Sequence, residues 1–509
     1  MTAQPGNTDD RQVVPRWRTF KRTLDTRELA SLHLTFPESV DGELEPLRMA
    51  FARDQSLYTA ADLLNALVAD GRHDAEVSRL STFITDLPEA PATLASIIAQ
   101  LRGKRGPGQE IELPPNSGED PSQSDASRRV RQLRELLGNE PRNAVRWVDV
   151  ALAHATLGVN NKAQREMLVA LALAPESRFV LRSAARLFVH LNDPERANSV
   201  LRQSQRLRSD PWLLAAELST SQLAFGRFHN ERSARELLVS ENLSPHSLSE
   251  LASELGTNEL RSGRDRRARK LFDLALQEPT ENAVAQATSV AEEGDLRLDP
   301  KLLAISHGFE ARAIDHSRRG EWNDAATEGH RWLLDQPFAL EPALFTSYAA
   351  SVGAADFELA LSVALTGIRT HPTNAMLHNN AAFALANLDK TAVAREHLAF
   401  APDTQDDEDS AVHRATLGLV LFREGRDAEG RAMYVSAIES LGTSKRQDMA
   451  AVATSFWAME ETRIFSSFAE QATKKAIQLS GAHPSPAGDA LVKRLGRLDG
   501  IDLRGFPIS

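Results

Sequence analysis

The sequence predicts an all-α protein built as a solenoid of helix hairpins, and three features support this fold class. Amphipathic stretches with apolar residues at helical spacing follow one another beyond Arg128. Small residues recur at two fixed positions when the chain is placed in frames of about 34 residues. Glycine or asparagine falls between the two helices of most frames, where a tight turn is needed.

Composition bounds the functions that this chain can have. Of its 509 residues, 42% are hydrophobic and 25% are charged, which is typical of a chain that buries a core. The net charge of -11 argues against general binding to the phosphates of nucleic acids. The absence of cysteine excludes disulfides, thiolate zinc sites and cysteine nucleophiles. With no apolar signal segment and no long apolar run, the sequence predicts a cytoplasmic protein that does not bind membranes.

Residues 1–102 are predicted to form a small helical lobe, whose first twelve or so residues are a disordered tail. Apolar residues at helical spacing in 58–69 and 75–84, on either side of Gly71, indicate a helix hairpin. Residues 103–129 are rich in Gly, Pro, Ser and acidic residues. Such a composition cannot bury enough apolar area to offset the entropy of ordering, so it predicts a flexible linker.

A short stretch near the N-terminus, residues 13–22, mixes cations with aromatic rings. Its members are Arg16, Trp17, Arg18, Phe20, Lys21 and Arg22. This composition suits stacking on nucleic-acid bases or docking into a groove. The simpler interpretation is the start of an amphipathic helix that packs on the N-terminal lobe.

The repeat is clearest in seven frames. They begin at Ala144, Arg178, Ser249, Ser306, Glu341, Ala375 and Ala411. Their twentieth positions are all small: Ala163, Ala197, Ala268, Ala325, Ala360, Ala394 and Gly430. Their eighth positions are small in six frames: Ala151, Ala185, Gly256, Ala313, Ala382 and Gly418, with Tyr348 as the exception. Small side chains let the two helices of a hairpin approach closely.

Residues 320–325 (GEWNDA) and 170–175 (ALALAP) carry the clearest likeness to a known family. On these motifs and the frames, the chain resembles tetratricopeptide repeat proteins over most of 144–444. The resemblance implies a right-handed superhelix of helix hairpins, predicted here over 130–480, whose concave face binds a partner. The frames break at 211–248 and 281–305, where helices but no clean repeats are predicted. Helices at 447–459 and 463–479 are expected to cap the solenoid, before a tail over 481–509 with one short helix at 487–495.

The sequence offers no constellation for catalysis, a cofactor or a metal. The standard motifs for zinc proteases, serine hydrolases, P-loops and dinucleotide binding are absent. The fourteen histidines are scattered, with no pair spaced as zinc ligands. The acidic run at 406–409 lacks the spacing of a calcium loop and is interpreted as a solvated loop. We therefore expect a non-enzyme.

Candidate partner-binding residues follow from the positions that line the concave face in the family. They are Arg182, Arg186, Glu250, Glu254, Asn379 and Asn380. Asn380 matches an asparagine of carboxylate-binding family members, but Phe345, Ala349, Val412 and Thr416 replace the other clamp residues. A basic run with Arg264, Arg266 and Arg267 offers contacts to an acidic partner or to phosphate. A solvated helix face is its simpler interpretation.

The leading functional hypothesis is a non-catalytic intracellular scaffold that binds a protein or peptide partner along the concave face of the solenoid. One alternative is a regulatory receptor in which a bound peptide changes the activity of the N-terminal lobe. Another is an enzyme or an effector associated with nucleic acid that acts through the N-terminal lobe, where residues 16–22 offer contacts to nucleic acid. Nucleic acid is left open as a partner but is not favoured.

Overall fold

The structure is a computed structural model, and its chain divides into two compact units. One unit joins residues 1–24 to residues 116–509, and the other spans residues 25–115. The structure describes residues 11–19, 41–69, 75–87, 98, 121–240, 243–291, 296–400, 408–443 and 446–499. Several predicted features lie outside these ranges: the Gly71 turn, Phe20–Arg22, most of the linker, and residues 406 and 407 of the acidic run.

The smaller unit contains three described helices: α1 Asp41–Arg53, α2 Leu57–Ala69 and α3 Ala75–Asp86. Helices α2 and α3 correspond to the hairpin predicted at 58–69 and 75–84. Their apolar faces supply a small core that includes Leu63, Leu67 and Leu80. This core belongs to the unit itself.

The larger unit is a series of paired helices, and the described part of the chain contains no strand. Its first helices are α4 Pro121–Asn139, α5 Ala144–Thr156, α6 Asn160–Leu173, α7 Arg178–His190, α8 Pro194–Arg202, α9 Pro211–Phe225, α10 Glu231–Leu238, α11 Pro245–Arg261, α12 Asp265–Ala275 and α13 Glu281–Ser289. After a 3₁₀ turn at Pro300–Ala304 come α14 Phe309–Arg318, α15 Trp322–Asp335, α16 Leu340–Tyr348, α17 Phe357–Thr370, α18 Ala375–Asn387 and α19 Thr391–Leu398. The last are α20 Glu408–Arg423, α21 Asp427–Thr443, α22 Gln447–Arg463, α23 Ala469–Ala482 and α24 Pro486–Asp499.

The predicted small residues lie where paired helices meet. All seven residues at the twentieth position and all seven at the eighth are buried. In the pair α20 and α21, a Cβ added to Gly430 would lie 2.8 Å from the carbonyl oxygen of Gly418. Such an approach leaves no room for a side chain, which confirms the physical reason for the repeat. The fold is an all-α solenoid of the tetratricopeptide type.

Turns and caps follow the predicted chemistry. The five residues predicted to turn the chain all have left-handed backbones: Gly158, Asn192, Gly263, Gly320 and Gly425. Helix starts are capped by side chains, as where Asn143 accepts a hydrogen bond from the backbone of Arg146 and Thr280 from that of Ala283. A cap of this kind stabilises a helix by about 1 kcal/mol.

The stretches without clean repeats also contain helices. Region 211–248 holds the pair α9 and α10, and region 281–305 holds α13 followed by the 3₁₀ turn. The frames predicted from Ser249 and Ser306 therefore start a few residues away from the helices they describe, α11 and α14.

Two unit boundaries differ from the predicted ones. Helix α4 begins inside the predicted linker 103–129, because Leu133 and Leu137 lie one helical turn apart and pack against Val150 of α5. Residues 11–19, predicted as part of the N-terminal lobe and its disordered tail, belong to the solenoid unit. No helix in the described ranges is both long and apolar enough to cross a membrane.

The C-terminal helices close one end of the core. Helix α24, in the predicted tail, buries Leu491 and Leu495 in the largest hydrophobic cluster of the solenoid. Arg494 donates hydrogen bonds to the carbonyl oxygens of Val352 and Gly353, in a π-helical turn at Ala349–Ala354. Arg494 thus gives these two carbonyl oxygens a hydrogen-bond donor at a turn where the helical backbone is irregular.

Candidate functional site: an inner groove that holds residues 11–19

Residues 11–19 form neither helix nor strand and lie against helices α11, α13, α14 and α15 of the solenoid. We call them the docked segment. The surface that holds them is the inner groove, formed by Glu254, Glu281, Asn282, Gln286, Glu310, Asp335, Gln336 and Phe338. The two are separated by more than 200 residues in the sequence, so the contact is a property of the tertiary fold.

Amide side chains of the groove bind the backbone of the docked segment. Asn282 donates to the carbonyl oxygen of Val14 (2.9 Å), and Gln286 donates to that of Arg11 (3.0 Å). Gln336 accepts from the amide of Trp17 (3.4 Å) and donates to its carbonyl oxygen (3.5 Å). An amide offers both donors and acceptors, which suits it to a polypeptide backbone.

Glu310 of α14 binds two arginines of the docked segment. Arg11 reaches it with Nε and Nη2, at 2.7 and 3.0 Å from the two carboxylate oxygens, and Arg16 pairs with Oε2. Burial by itself raises the pKa of Glu310, but the two guanidinium groups outweigh burial and hold that pKa at about 2. The carboxylate is therefore ionised throughout the neutral range.

Asp335, at the end of α15, holds Arg18 in a forked pair. Arg18 Nε lies 2.8 Å from Oδ1 and Nη2 lies 2.6 Å from Oδ2, while Nη1 reaches Glu281 at 2.5 Å. Asp335 and Arg18 are both buried. Burial raises the pKa of Asp335, yet the Arg18 charge holds it far below its usual range. Paired, charge-assisted bonds of this geometry are among the strongest that side chains form.

Trp17 fills the apolar part of the groove. Its side chain is 1% exposed, and its ring meets that of Phe338 edge to face at 5.2 Å between centroids. The guanidinium carbon of Arg186, on α7, lies 5.3 Å from the centre of the same Phe338 ring. The indole Nε1 of Trp17 is buried and has no hydrogen-bond partner. Trp17 is thus held by apolar contact and by its backbone.

Glu254 of α11 receives the amide of Val13 at 2.9 Å. Its side chain is fully buried. Burial raises the pKa of Glu254 to about 7, even though the Val13 amide and the Ser219 hydroxyl favour the ionised form and Arg261 and Arg11 add positive charge. This carboxyl therefore changes charge near neutrality, unlike Glu310.

Of the residues predicted to bind a partner, one contacts the docked segment, namely Glu254. Arg182 of α7 and Glu250 of α11 bind each other at 2.9 Å, and the Arg182 guanidinium lies 4.8 Å from the centre of the Trp212 ring. Arg186 lies 3.5 Å from Glu341, beside Phe338 at the edge of the groove. Arg182, Glu250 and Arg186 thus pair with other side chains of the solenoid, and their binding of a partner stays a prediction.

The remaining predicted residues lie elsewhere. Asn379 and Asn380 are buried in α18, so neither is open to a partner, and Asn380 donates to the Ser347 hydroxyl of α16 at 2.9 Å. Arg264 is exposed and pairs with Glu259. Arg266 and Arg267 are exposed on α12, which agrees with the simpler interpretation of this run as a solvated helix face.

Most residues of the inner groove are not predicted by the sequence patterns. Asn282 and Gln286 lie in region 281–305, where the repeat frame was lost, and Gln336 and Phe338 lie in the turn after α15. The signal that was available is the cationic and aromatic stretch at 13–22. Docking into a groove was one of its two suggested uses, and its alternative, a helix start packed on the N-terminal lobe, is wrong for residues 13–19.

One group of side chains in the described ranges has three metal-binding atoms close together. His316, Glu321 and Asp324 place these atoms within 4.8 Å of one another in the turn between α14 and α15. The group is half-buried to exposed, and His316 Nδ1 already bonds Glu321 at 2.7 Å. We assign no metal to it, because exposed acidic groups of this kind are common without an ion.

No protein-family model and no curated protein sequence matches the chain. Solved structures to which it is similar are solenoids of the tetratricopeptide type. A human IFIT1 dimer with PPP-AAAA has 14% identity and a TM-score of 0.34, over 75% of this chain and 96% of that one. The Cut9–Hcn1 heterotetramer of APC/C has 14% identity and a TM-score of 0.32, over 94% and 93%. Yeast Tom70 has 13% identity and a TM-score of 0.28, over 88% and 96%.

Proposed function

We propose that the protein is a non-catalytic scaffold that binds a non-helical segment of a partner protein in its inner groove. The observation that carries this proposal is the docked segment itself. The groove holds a stretch of polypeptide through three amide side chains directed at its backbone and through carboxylates directed at its arginines. A surface with both features is suited to bind a peptide.

The charge of the groove favours a protein over a nucleic acid. Glu281, Glu310 and Asp335 face the docked segment, and a phosphate backbone placed there would meet them without counter-charges. Arg16 and Arg18, two of the cations in the stretch 13–22, are paired with these carboxylates. In the docked state they are not available to phosphate.

Site-specific crosslinking tests the proposal in the full-length protein. A photo-crosslinking amino acid is placed at Glu341, which is 60% exposed and contacts Arg186 at the edge of the groove. The matched control carries it at Leu173, exposed at the end of α6. We expect one partner protein to be crosslinked in native cells from position 341 and not from position 173.

Two results would refute the proposal. Recovery of the same proteins from both positions would show that capture does not depend on the groove. Crosslinking of nucleic acid, and not protein, from position 341 would assign the groove to another class of partner.

A further inference from the structure

We infer that residues 11–19 occupy the binding site of the partner. The partner segment that displaces them is non-helical and carries arginines and an aromatic residue in the same order. This inference rests on the proposed function, because it specifies the ligand of the same groove. The motif consists of arginine at the positions of Arg11, Arg16 and Arg18, with a ring at that of Trp17.

The groove cannot stand empty at neutral pH without loss. Glu310 and Asp335 are 8% and 4% exposed, and each is balanced by guanidinium groups from the docked segment. If the segment left, Glu310 and Asp335 would lose these guanidinium partners and would exchange them for water. An incoming chain that brings cations to the same places restores these ion pairs, so exchange costs less than simple release.

The recognition of the backbone does not depend on sequence. Asn282, Gln286 and Gln336 bond to carbonyl oxygens and to one amide, groups that any polypeptide supplies. Specificity must then come from the side-chain contacts, namely the carboxylates of Glu281, Glu310 and Asp335 and the apolar surface at Phe338. These contacts define the motif.

The geometry demands arginine and not lysine. Asp335 receives two parallel N–H groups from Arg18, and Glu310 receives two from Arg11. A guanidinium presents such a fork, whereas an ammonium is a single point of charge. A lysine in either place would supply only one of the two N–H contacts that the guanidinium makes.

The internal segment is an imperfect ligand. Two of its buried donors, Trp17 Nε1 and Arg16 Nε, have no hydrogen-bond partner. An unpaired buried donor weakens binding. A partner with phenylalanine in place of tryptophan would avoid one of these losses, so an outside chain can compete with a segment that is covalently tethered.

Fluorescence anisotropy with a labelled synthetic peptide of residues 11–19 tests the inference. The proteins are the full-length wild type, Trp17→Ala, the double variant Trp17→Ala with Asp335→Asn, and Arg232→Ala as a control at a position 94% exposed. Because the tethered segment competes with the probe, Trp17→Ala should bind it at least about 10-fold more tightly than wild type. Asp335→Asn should remove most of that gain, and Arg232→Ala should match wild type.

Two altered probes test the motif on Trp17→Ala. A peptide with lysine at all three arginine positions should bind at least about 10-fold more weakly, and one with phenylalanine at the tryptophan position should bind at least as tightly as the original. The inference is overturned if Trp17→Ala, folded by circular dichroism, binds the probe no better than wild type. Equal binding of the lysine peptide overturns it as well.

A second measurement does not depend on the fold of Trp17→Ala. The chain lacks cysteine, so Asp10→Cys carries a single dye next to the docked segment in an otherwise native protein. Excess unlabelled peptide should lower the anisotropy of the dye, and the lysine peptide should not. No change with either peptide at millimolar concentration means that the segment is not displaceable.

The outcomes separate this inference from the proposed function. Partner capture from position 341 without any binding of the probe would support the proposed scaffold function and contradict the proposed motif. Probe binding without partner capture would do the opposite. A dimer of the wild type that Trp17→Ala abolishes would make a second copy of this chain the occupant and would overturn the inference.

Discussion

Replacing Trp17 by alanine should release the docked segment while the solenoid stays folded. The side chain is 1% exposed and packs on Phe338, and truncating a buried tryptophan to alanine costs about 3–5 kcal/mol. Since this loss falls on the docked state, the free energy of local opening drops by the same amount. Amide exchange at Val13 and Trp17, whose N–H groups bond to Glu254 and Gln336, should speed up by about two to four orders of magnitude.

Hydrogen exchange followed by mass spectrometry on the full-length protein measures this effect. The control is Trp17→Phe, which keeps a ring against Phe338 and loses no hydrogen bond because the indole N–H has none. Its exchange in residues 11–19 should stay within about 10-fold of wild type. Unchanged exchange in folded Trp17→Ala would refute the argument that this ring anchors the segment.

Three further predictions concern the groove and the solenoid. Burial raises the pKa of Glu254 to about 7, so in the docked state this carboxyl holds a proton that an exposed carboxyl loses near pH 4.5. Docking should therefore tighten as the pH falls from 8 to 5, measured as the protection of amides in residues 11–19 after correction for intrinsic exchange, and Glu254→Gln should abolish the trend. Ala325→Leu should overpack a helix pair and cost about 1–3 kcal/mol in a thermal melt, and a melt equal to wild type would refute the repeat register. Gly353→Ala places a Cβ 2.2 Å from the Trp322 ring, so it should lower the melting temperature, whereas Gly442→Ala, which meets no neighbour, should not.

The fold was predictable because it repeats a local rule. Each hairpin needs small residues at two positions and a turn between its helices, so the pattern in the frames of Ala325, Ala360 and Gly430 is visible without knowledge of distant contacts. Burial of these residues confirms the pattern. The beginnings of helices were harder to place, since α11 and α14 start where caps lie and not where the frames were drawn.

The groove was not predictable because it depends on contacts between distant parts of the chain. Nothing in the composition of residues 11–19 says that Glu310 and Asp335, which lie some 300 residues further along the chain, will face them. Gln336 acts from a turn, where a repeat pattern assigns no role. The stretch around Trp17 was the one visible sign, because cations beside an aromatic residue are costly to bury without partners.

The most direct test of the account is a crosslink from the docked segment itself. A photo-crosslinking amino acid at Val14, which is half-buried and bonded through its carbonyl oxygen to Asn282, is activated in the purified full-length protein. Peptide mapping should then find crosslinks within α13 or its neighbours α11 and α14. Crosslinks to residues 41–87, or none to the solenoid, would contradict the account that the inner groove holds residues 11–19.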